Sequence, residues 1–178
     1  MIYVALLRGI NFGGNRKISM MHLKKTFELL GFKNVATYIN SGNVVFSHAG
    51  KDKEKIAKKI EKGIQKDFLL EVKVLVRDAG NLFNVCKGIP SVWESEAGMR
   101  PHIIFLWKEI DSLDILNKAP INPKIDKVKY VPGALLWNVD MQNYAKSPLY
   151  KFINTKITKQ VTVRSVNTVR KLNQMMTF

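Results

Sequence analysis

Apolar positions along the chain change their period from segment to segment, and the changes mark out the elements. Residues 2–8 (IYVALLR) are a short run rich in strand formers, and a strand is predicted there. A glycine-bearing loop follows. Ser19 then stands where a helix N-cap belongs, Leu23, Phe27 and Leu30 recur at helical spacing, and Gly31 suits the residue just past the helix end. Residues 34–39 (NVATYI) and 43–48 (NVVFSH) flank NSGN, which reads as a hairpin turn with Ser41 and Gly42 at its corner. Alternation along the second strand puts Val44 and Phe46 on one face, and Asn43 and Val45 on a face expected to be exposed. Ile56, Ile60, Ile64 and Phe68 stripe a helix whose other face is filled by lysines, and VKVLV (72–76) closes the set as a strand. The order is β-α-β-β-α-β, the split ferredoxin-like pattern.

The same order then recurs. Residues 78–88 read as a bridging helix and 89–100 as a loop. HIIFLW (102–107), DKVKYV (126–131) and ALLWNV (134–139) read as strands, with a short helix at 112–118 and Pro132-Gly133 at the turn. Ser147-Pro148 opens a helix with Leu149, Phe152, Ile153 and Ile157 inward. VTV (161–163) is the last strand, and Ser165 caps a final helix through Val166, Val169, Leu172 and Met176. The repetition is of element order, without a residue-level repeat. The expected fold is α+β: two ferredoxin-like-type halves with antiparallel sheets and an extra C-terminal helix. Residues 1–78 and 101–178 form the halves, and 79–100 bridge them.

Charge adds a direction. The net charge is +15, and it is uneven: residues 1–50 carry six Lys/Arg against one acid, and residues 141–178 carry seven bases and no acid. Such ends attract phosphate, nucleic acid or another polyanion, unless the lysines merely solvate helix faces. Lys151, Lys156 and Lys159 are expected to face solvent, with Lys146, Arg164, Arg170 and Lys171 flanking them. No apolar run is long enough to span a bilayer, and the opening apolar segment, backed by Arg8, does not read as a signal peptide. A single cysteine, Cys86, excludes an internal disulfide, and a reducing cytoplasm is the compartment it fits.

The first loop concentrates the candidate chemistry. Gly9 and Gly14 have the spacing of a phosphate loop, but Asn15-Arg16 replace the Lys-Ser/Thr pair and the following strands form a hairpin, so a Walker A site is excluded. A simpler anion site remains open. Gly13 and Gly14 permit close backbone approach, Arg8, Arg16 and Lys17 supply charge, and a helix starting at Ser19 offers free N–H groups. The alternative is a long connection whose glycines make turns. RNA recognition by sheet stacking is disfavoured, since Tyr3 lacks aromatic partners at Asn43 and Val45. His22, His48 and His102 have no ligand spacing, and Cys86 reads as a packed side chain. Trp107 and Trp137 read as core or interface rings, and Trp93, in a loop, as one able to cover a ligand. No metal, cofactor or catalytic residue is assigned.

The stretch YVALLRGINFGGNRKISM through LKKTFELLGFKNVATYINSGNVVF resembles the bacterial domain-of-unknown-function family 1697. The likeness continues through VLVRDA, YAKSPL (144–149) and TVRSVNTVRKL (162–172). It implies an α+β fold and brings no activity. The family motif falls on Arg8, Gly9, Asn11, Gly13, Gly14, Lys17, Ser41, Gly42 and Asn43; at Arg164-Ser165-Val166 the family's aromatic is missing. In a split sheet the first and third strands are antiparallel neighbours, so the glycine loop and the NSGN turn should converge at one sheet end. Arg8, Gly9, Asn11, Gly13, Gly14, Lys17, Ser41 and Asn43 are therefore the expected ligand-binding residues. Three classes of function follow: binding of a phosphorylated small molecule or nucleic acid, a structural motif in a protein-interaction module, or an enzyme acting on a phosphorylated or carboxylated substrate.

Overall fold

A computed structural model of the chain describes residues 1–11, 17–94 and 97–177. The first sheet holds β1 (Ile2–Leu7), β2 (Lys33–Tyr38), β3 (Asn43–Ser47) and β4 (Val74–Asp78), all antiparallel, in the order β2-β3-β1-β4. Helices α1 (Met20–Leu29) and α2 (Lys53–Phe68) follow β1 and β3. The second sheet repeats the arrangement with β5 (Met99–Leu106), β6 (Asp126–Val131), β7 (Ala134–Asp140) and β8 (Val161–Ser165), in the order β6-β7-β5-β8. The helix α3 (Ala79–Gly88) precedes β5, the short α4 (Ile115–Lys118) precedes β6, α5 (Pro148–Thr155) precedes β8, and α6 (Val166–Met175) follows it. The fold is thus α+β, two similar halves with four-stranded antiparallel sheets, as the element order predicts. The chain separates into two compact units, Met1–Leu82 with Lys171–Phe178, and Phe83–Arg170.

Local chemistry sets the element ends. Ser19 Oγ accepts from the His22 N–H at the start of α1, and Asp52 Oδ1 accepts from the Lys55 N–H at the start of α2. Ser147 Oγ accepts from the Tyr150 N–H, with Pro148 as the first residue of α5. In the first unit Ile56, Ile60 and Ile64 of α2 and Leu23 and Phe27 of α1 pack on Tyr3, Ala5, Leu7, Val44 and Phe46. In the second, Leu149 and Ile153 of α5 pack on Ile104, Leu135, Trp137, Val139 and Val161. Removal of this apolar surface from water is what holds each layer together.

The register exposes an equivalence between the halves that the sequence reading lacked. Tyr3 faces Phe46 on β3 and Asp78 on β4; His102 faces Trp137 on β7 and Ser165 on β8. The Leu7 N–H donates to the Gly42 carbonyl at 2.8 Å, and the Leu106 N–H to the Gly133 carbonyl at 3.0 Å. Val74-Leu75-Val76-Arg77 of β4 answers Val161-Thr162-Val163-Arg164 of β8. Each run is followed by a helix cap: the Asn81 N–H donates to Asp78 Oδ1, and the Thr168 N–H to Ser165 Oγ. A residue-level repeat is therefore present, carried mainly by V-x-V-R and the residue after it.

Burial corrects three further expectations. Asn43 and Val45 are not exposed: they are 0% and 1% accessible, so both faces of β3 are withdrawn from water. Arg164 does not flank a basic surface, because it is buried and its Nη1 donates to Thr162 Oγ1 and the Val163 carbonyl. Trp93 is buried in a 3₁₀ turn, Ser91–Glu94, and does not hang over a site. Lys146, Lys151, Lys156 and Lys159 are exposed, as expected.

Candidate functional site

The end of β1 meets the hairpin turn where expected. Leu6 pairs with Asn43, the Leu7 N–H bonds Gly42, and the Arg8 N–H donates to the Lys73 carbonyl at 3.0 Å. Arg8, half-buried, thus leaves the sheet between the β2–β3 turn and the start of β4. Gly9 follows in the left-handed region at φ +66°, exposed, with no atom of the described residues within 4 Å of where a Cβ would stand. Ile10 turns back into the core.

Asn11 then fixes the corner. Its backbone is also left-handed, at φ +54°. Its Oδ1 accepts from the Ile18 N–H at 2.7 Å, while its Nδ2 donates to the Ile18 carbonyl at 3.0 Å and to the Asn40 carbonyl at 2.8 Å. One amide thereby ties the two ends of the loop together and ties both to the hairpin turn. It also sets the position of Lys17, exposed, and of Ser19 at the head of α1, whose first turn carries no acid.

The turn has its own internal bonding. Asn43 Nδ2 donates to the Tyr38 carbonyl at 3.1 Å and to Ser41 Oγ at 2.9 Å. Gly42 sits at φ +75°, and a Cβ there would lie 2.7 Å from Leu7 Cβ and 2.8 Å from Ile10 Cδ1. Only glycine satisfies both the dihedral and the space. Lys73 and Glu61 bring one charge of each sign to the neighbourhood: Lys73 Nζ lies 3.8 Å from Glu61, whose Oε1 accepts from the Val74 N–H at 2.9 Å.

The structure brings Arg8, Gly9, Asn11, Lys17, Ser41 and Asn43 to one sheet end, and separates them by task. Asn11 and Asn43 spend their amides on backbone and turn, and Ser41 Oγ accepts from Asn43, whereas Gly9 and Lys17 are exposed and Arg8 is half-buried. Gly13 and Gly14, and Arg16 with them, lie outside the described residues. Among the described residues numbered 8–11, 17–19 and 39–43 there is no acid.

The second unit builds the equivalent corner differently. Trp107 takes the place of Arg8, its backbone N–H donating to the Gln160 carbonyl at 2.9 Å. The turn is held by a carboxylate: Asp111 Oδ1 accepts from the Gly133 N–H at 2.8 Å and from Tyr130 Oη at 3.0 Å. A cleft of about 530 Å³ in that unit is lined by Gly98, Met99, Pro123, Lys124, Lys127 and Asp140, among others, and contains none of the expected site residues.

Sequence reasoning missed two polar positions of the second unit. Asp126, buried, accepts from Trp137 Nε1 at 2.9 Å, Ser147 Oγ at 2.8 Å and the Asn122 N–H at 3.1 Å. His102 is 9% accessible and packs its ring against Trp137 and Tyr144 at centroid distances of 5.4 and 5.6 Å. Its only trace in the sequence is a histidine opening an otherwise apolar strand. Among the described residues no group of three or more His, Cys, Asp or Glu side chains is arranged to hold a metal ion, and no helix is long and apolar enough to cross a membrane.

A family model described as "Protein of unknown function (DUF1697)" matches residues 1–137. No curated protein matches the chain. Among solved structures, a conserved bacterial protein, SP0830 from Streptococcus pneumoniae, superposes with a TM-score of 0.82 at 22% identity, covering 98% of each chain. That likeness is one of fold.

Proposed function

Since the chain belongs to the DUF1697 family, which carries no assigned activity, we propose from the corner itself that it binds a phosphate-bearing ligand, either a phosphorylated small molecule or nucleic acid. Arg8 and Lys17 supply the charge, and Gly9 and Ser41 let the ligand approach the backbone. The N–H groups at the head of α1 add a partial positive charge. Asn11 and Asn43 are positioning residues. One observation carries this reading: the second unit closes the same strand end and turn with Trp107 and the carboxylate of Asp111. The topology therefore does not require a cation, an open glycine or an acid-free turn, yet the first unit has all three.

A second reading is favoured by Asn11, Gly42 and Asn43, whose contacts are internal. On that reading the motif holds loop to hairpin and the function lies in protein partners. The two separate by experiment. A thermal-shift screen of phosphorylated small molecules is run on the wild type and on Arg8→Gln/Lys17→Gln, alongside a salt series of nucleic-acid binding. A saturable rise in Tm, or an affinity falling steeply with salt, that the double variant loses supports the anion site. Identical behaviour of the two proteins in every arm contradicts it and leaves the structural reading.

A further inference from the structure

The equivalence of the halves singles out one buried residue. His102 holds in β5 the register position that Tyr3 holds in β1. Both rings lie against the facing aromatic, Tyr3 on Phe46 at 5.8 Å and 29°, His102 on Trp137 at 5.4 Å and 32°. The polar tips differ. Tyr3 Oη donates to the Gly50 carbonyl at 2.7 Å. His102 Nε2 is buried with no hydrogen-bond partner among the described residues. An unanswered buried nitrogen costs stability, and the first unit shows that the position accepts a residue without that cost. The imidazole is therefore not a demand of the fold.

Its neighbours include one cation and one phenol. Arg100, two residues earlier on β5, projects from the same face of the sheet and is exposed. The Tyr144 ring, half-buried on the 3₁₀ turn Met141–Lys146, tilts against His102 at 5.6 Å and stacks on Trp137 at 5.5 Å and 22°. Tyr150 of α5 meets Tyr144 at 4.7 Å. On β8 the register partner of His102 is Ser165, after which α6 begins with no acid in its first turn. The Asp126 carboxylate is held by Trp137, Ser147 and Asn122, and that of Asp140, which caps the Met141–Lys146 turn, by the Gln142 N–H and Asn143 Nδ2. Burial, and then the Arg100 charge, push the imidazole pKa down to about 4, so at neutral pH it is an uncharged ring with one N–H to give.

We propose that Arg100, His102 and Tyr144 form an oxyanion site in the second unit, separate from the corner, taking a carboxylate or phosphate group between the Arg100 guanidinium, the Tyr144 hydroxyl and His102 Nε2–H. Entry displaces the Tyr144 ring from His102 and from Trp137. The binding signal is then optical, because Trp93, Trp107 and Trp137, the three tryptophans of the chain, all belong to the second unit.

The test titrates the intact protein with sodium phosphate and, separately, sodium acetate at constant ionic strength, following indole emission. A saturable change is expected with at least one of the two anions, and which one responds identifies the ligand class. The apparent affinity should drop at least tenfold in Arg100→Gln. The response should vanish in His102→Tyr, which installs the side chain of the first unit, and should persist in Arg8→Gln/Lys17→Gln. No saturable change with either anion overturns the proposal, as does an unchanged response in Arg100→Gln and His102→Tyr. Arg100 is exposed, so Arg100→Gln decides the matter alone should His102→Tyr fail to fold.

Discussion

Acid should weaken the second unit through His102 in a defined pH window. The folded imidazole titrates near pH 4, against an ordinary value of 6.5, because burial and then the Arg100 charge disfavour the cation. The folded pKa lies below the unfolded one, so the unfolded chain takes up the proton first. Stability is flat above about pH 6.5, falls by about 1.4 kcal/mol per unit below it, and levels off near pH 4. The whole shift corresponds to a loss of about 3 kcal/mol, a large share of the 5–15 kcal/mol typical of a domain. The neighbouring Tyr144 hydroxyl, pushed up from its ordinary value by burial, does not titrate in this window. Two exposed carboxylates act lower. Asp114 is held below its ordinary 3.8 by hydrogen bonds from Lys118 and Asn117, and Asp52 by the Lys55 N–H, so their contributions are lost only as pH falls beneath that value. The perturbation is His102→Phe, which keeps the ring contacts and removes the titration. Urea unfolding followed by indole emission, from pH 7.5 to 4, should show a falling wild-type stability and a variant flatter by nearly the full amount. Parallel curves for the two proteins would mean that His102 does not govern the acid sensitivity.

Other substitutions probe the remaining scaffold. Gly42→Ala should cost about 2–4 kcal/mol, because a left-handed residue gains a Cβ 2.7 Å from Leu7 Cβ; urea unfolding of the first unit measures it. Asp126→Leu should cost about 3–5 kcal/mol by stranding the Trp137, Ser147 and Asn122 donors, with Asp126→Asn distinctly milder because it keeps an accepting oxygen; indole-detected unfolding ranks the two. Lys151→Ala/Lys156→Ala/Lys159→Ala removes three exposed cations of the acid-free C-terminal segment. If these lysines contact duplex DNA, the slope of log affinity against log salt should become shallower by about 2–3; an unchanged slope would make them a solubility feature.

The element order was legible because its signals are local. The Ile56/Ile60/Ile64 stripe, the Ser19 and Ser147 caps and the NSGN turn each specify structure within a few residues, and strand adjacency then follows from the split pattern. The convergence of Arg8 with Asn43 was legible for the same reason. What escaped depends on partners remote in sequence. Alternation cannot distinguish a solvated sheet face from a covered one, so Asn43 and Val45 read as exposed. Arg164 read as a surface cation because an arginine before a helix cap gives no sign of the neighbours that bury it. The equivalence of the halves was hidden because facing pairs kept their shape while changing identity, Tyr3–Phe46 becoming His102–Trp137. The division of labour inside the motif, with Asn11 as a clasp and Arg8 at the rim, rests on hydrogen bonds seven and twenty-nine residues apart in sequence.

Binding of a phosphate group at the Arg8 corner is open to direct mapping of the backbone amides by two-dimensional NMR during a titration with inorganic phosphate. Saturable shifts are expected at Gly9, Asn11, Lys17 and Ser41, lost in Arg8→Gln/Lys17→Gln, while Gly133 and Asp111 at the equivalent turn of the second unit stay unmoved. Phosphate that leaves the corner amides in place, or shifts both turns alike, would contradict it.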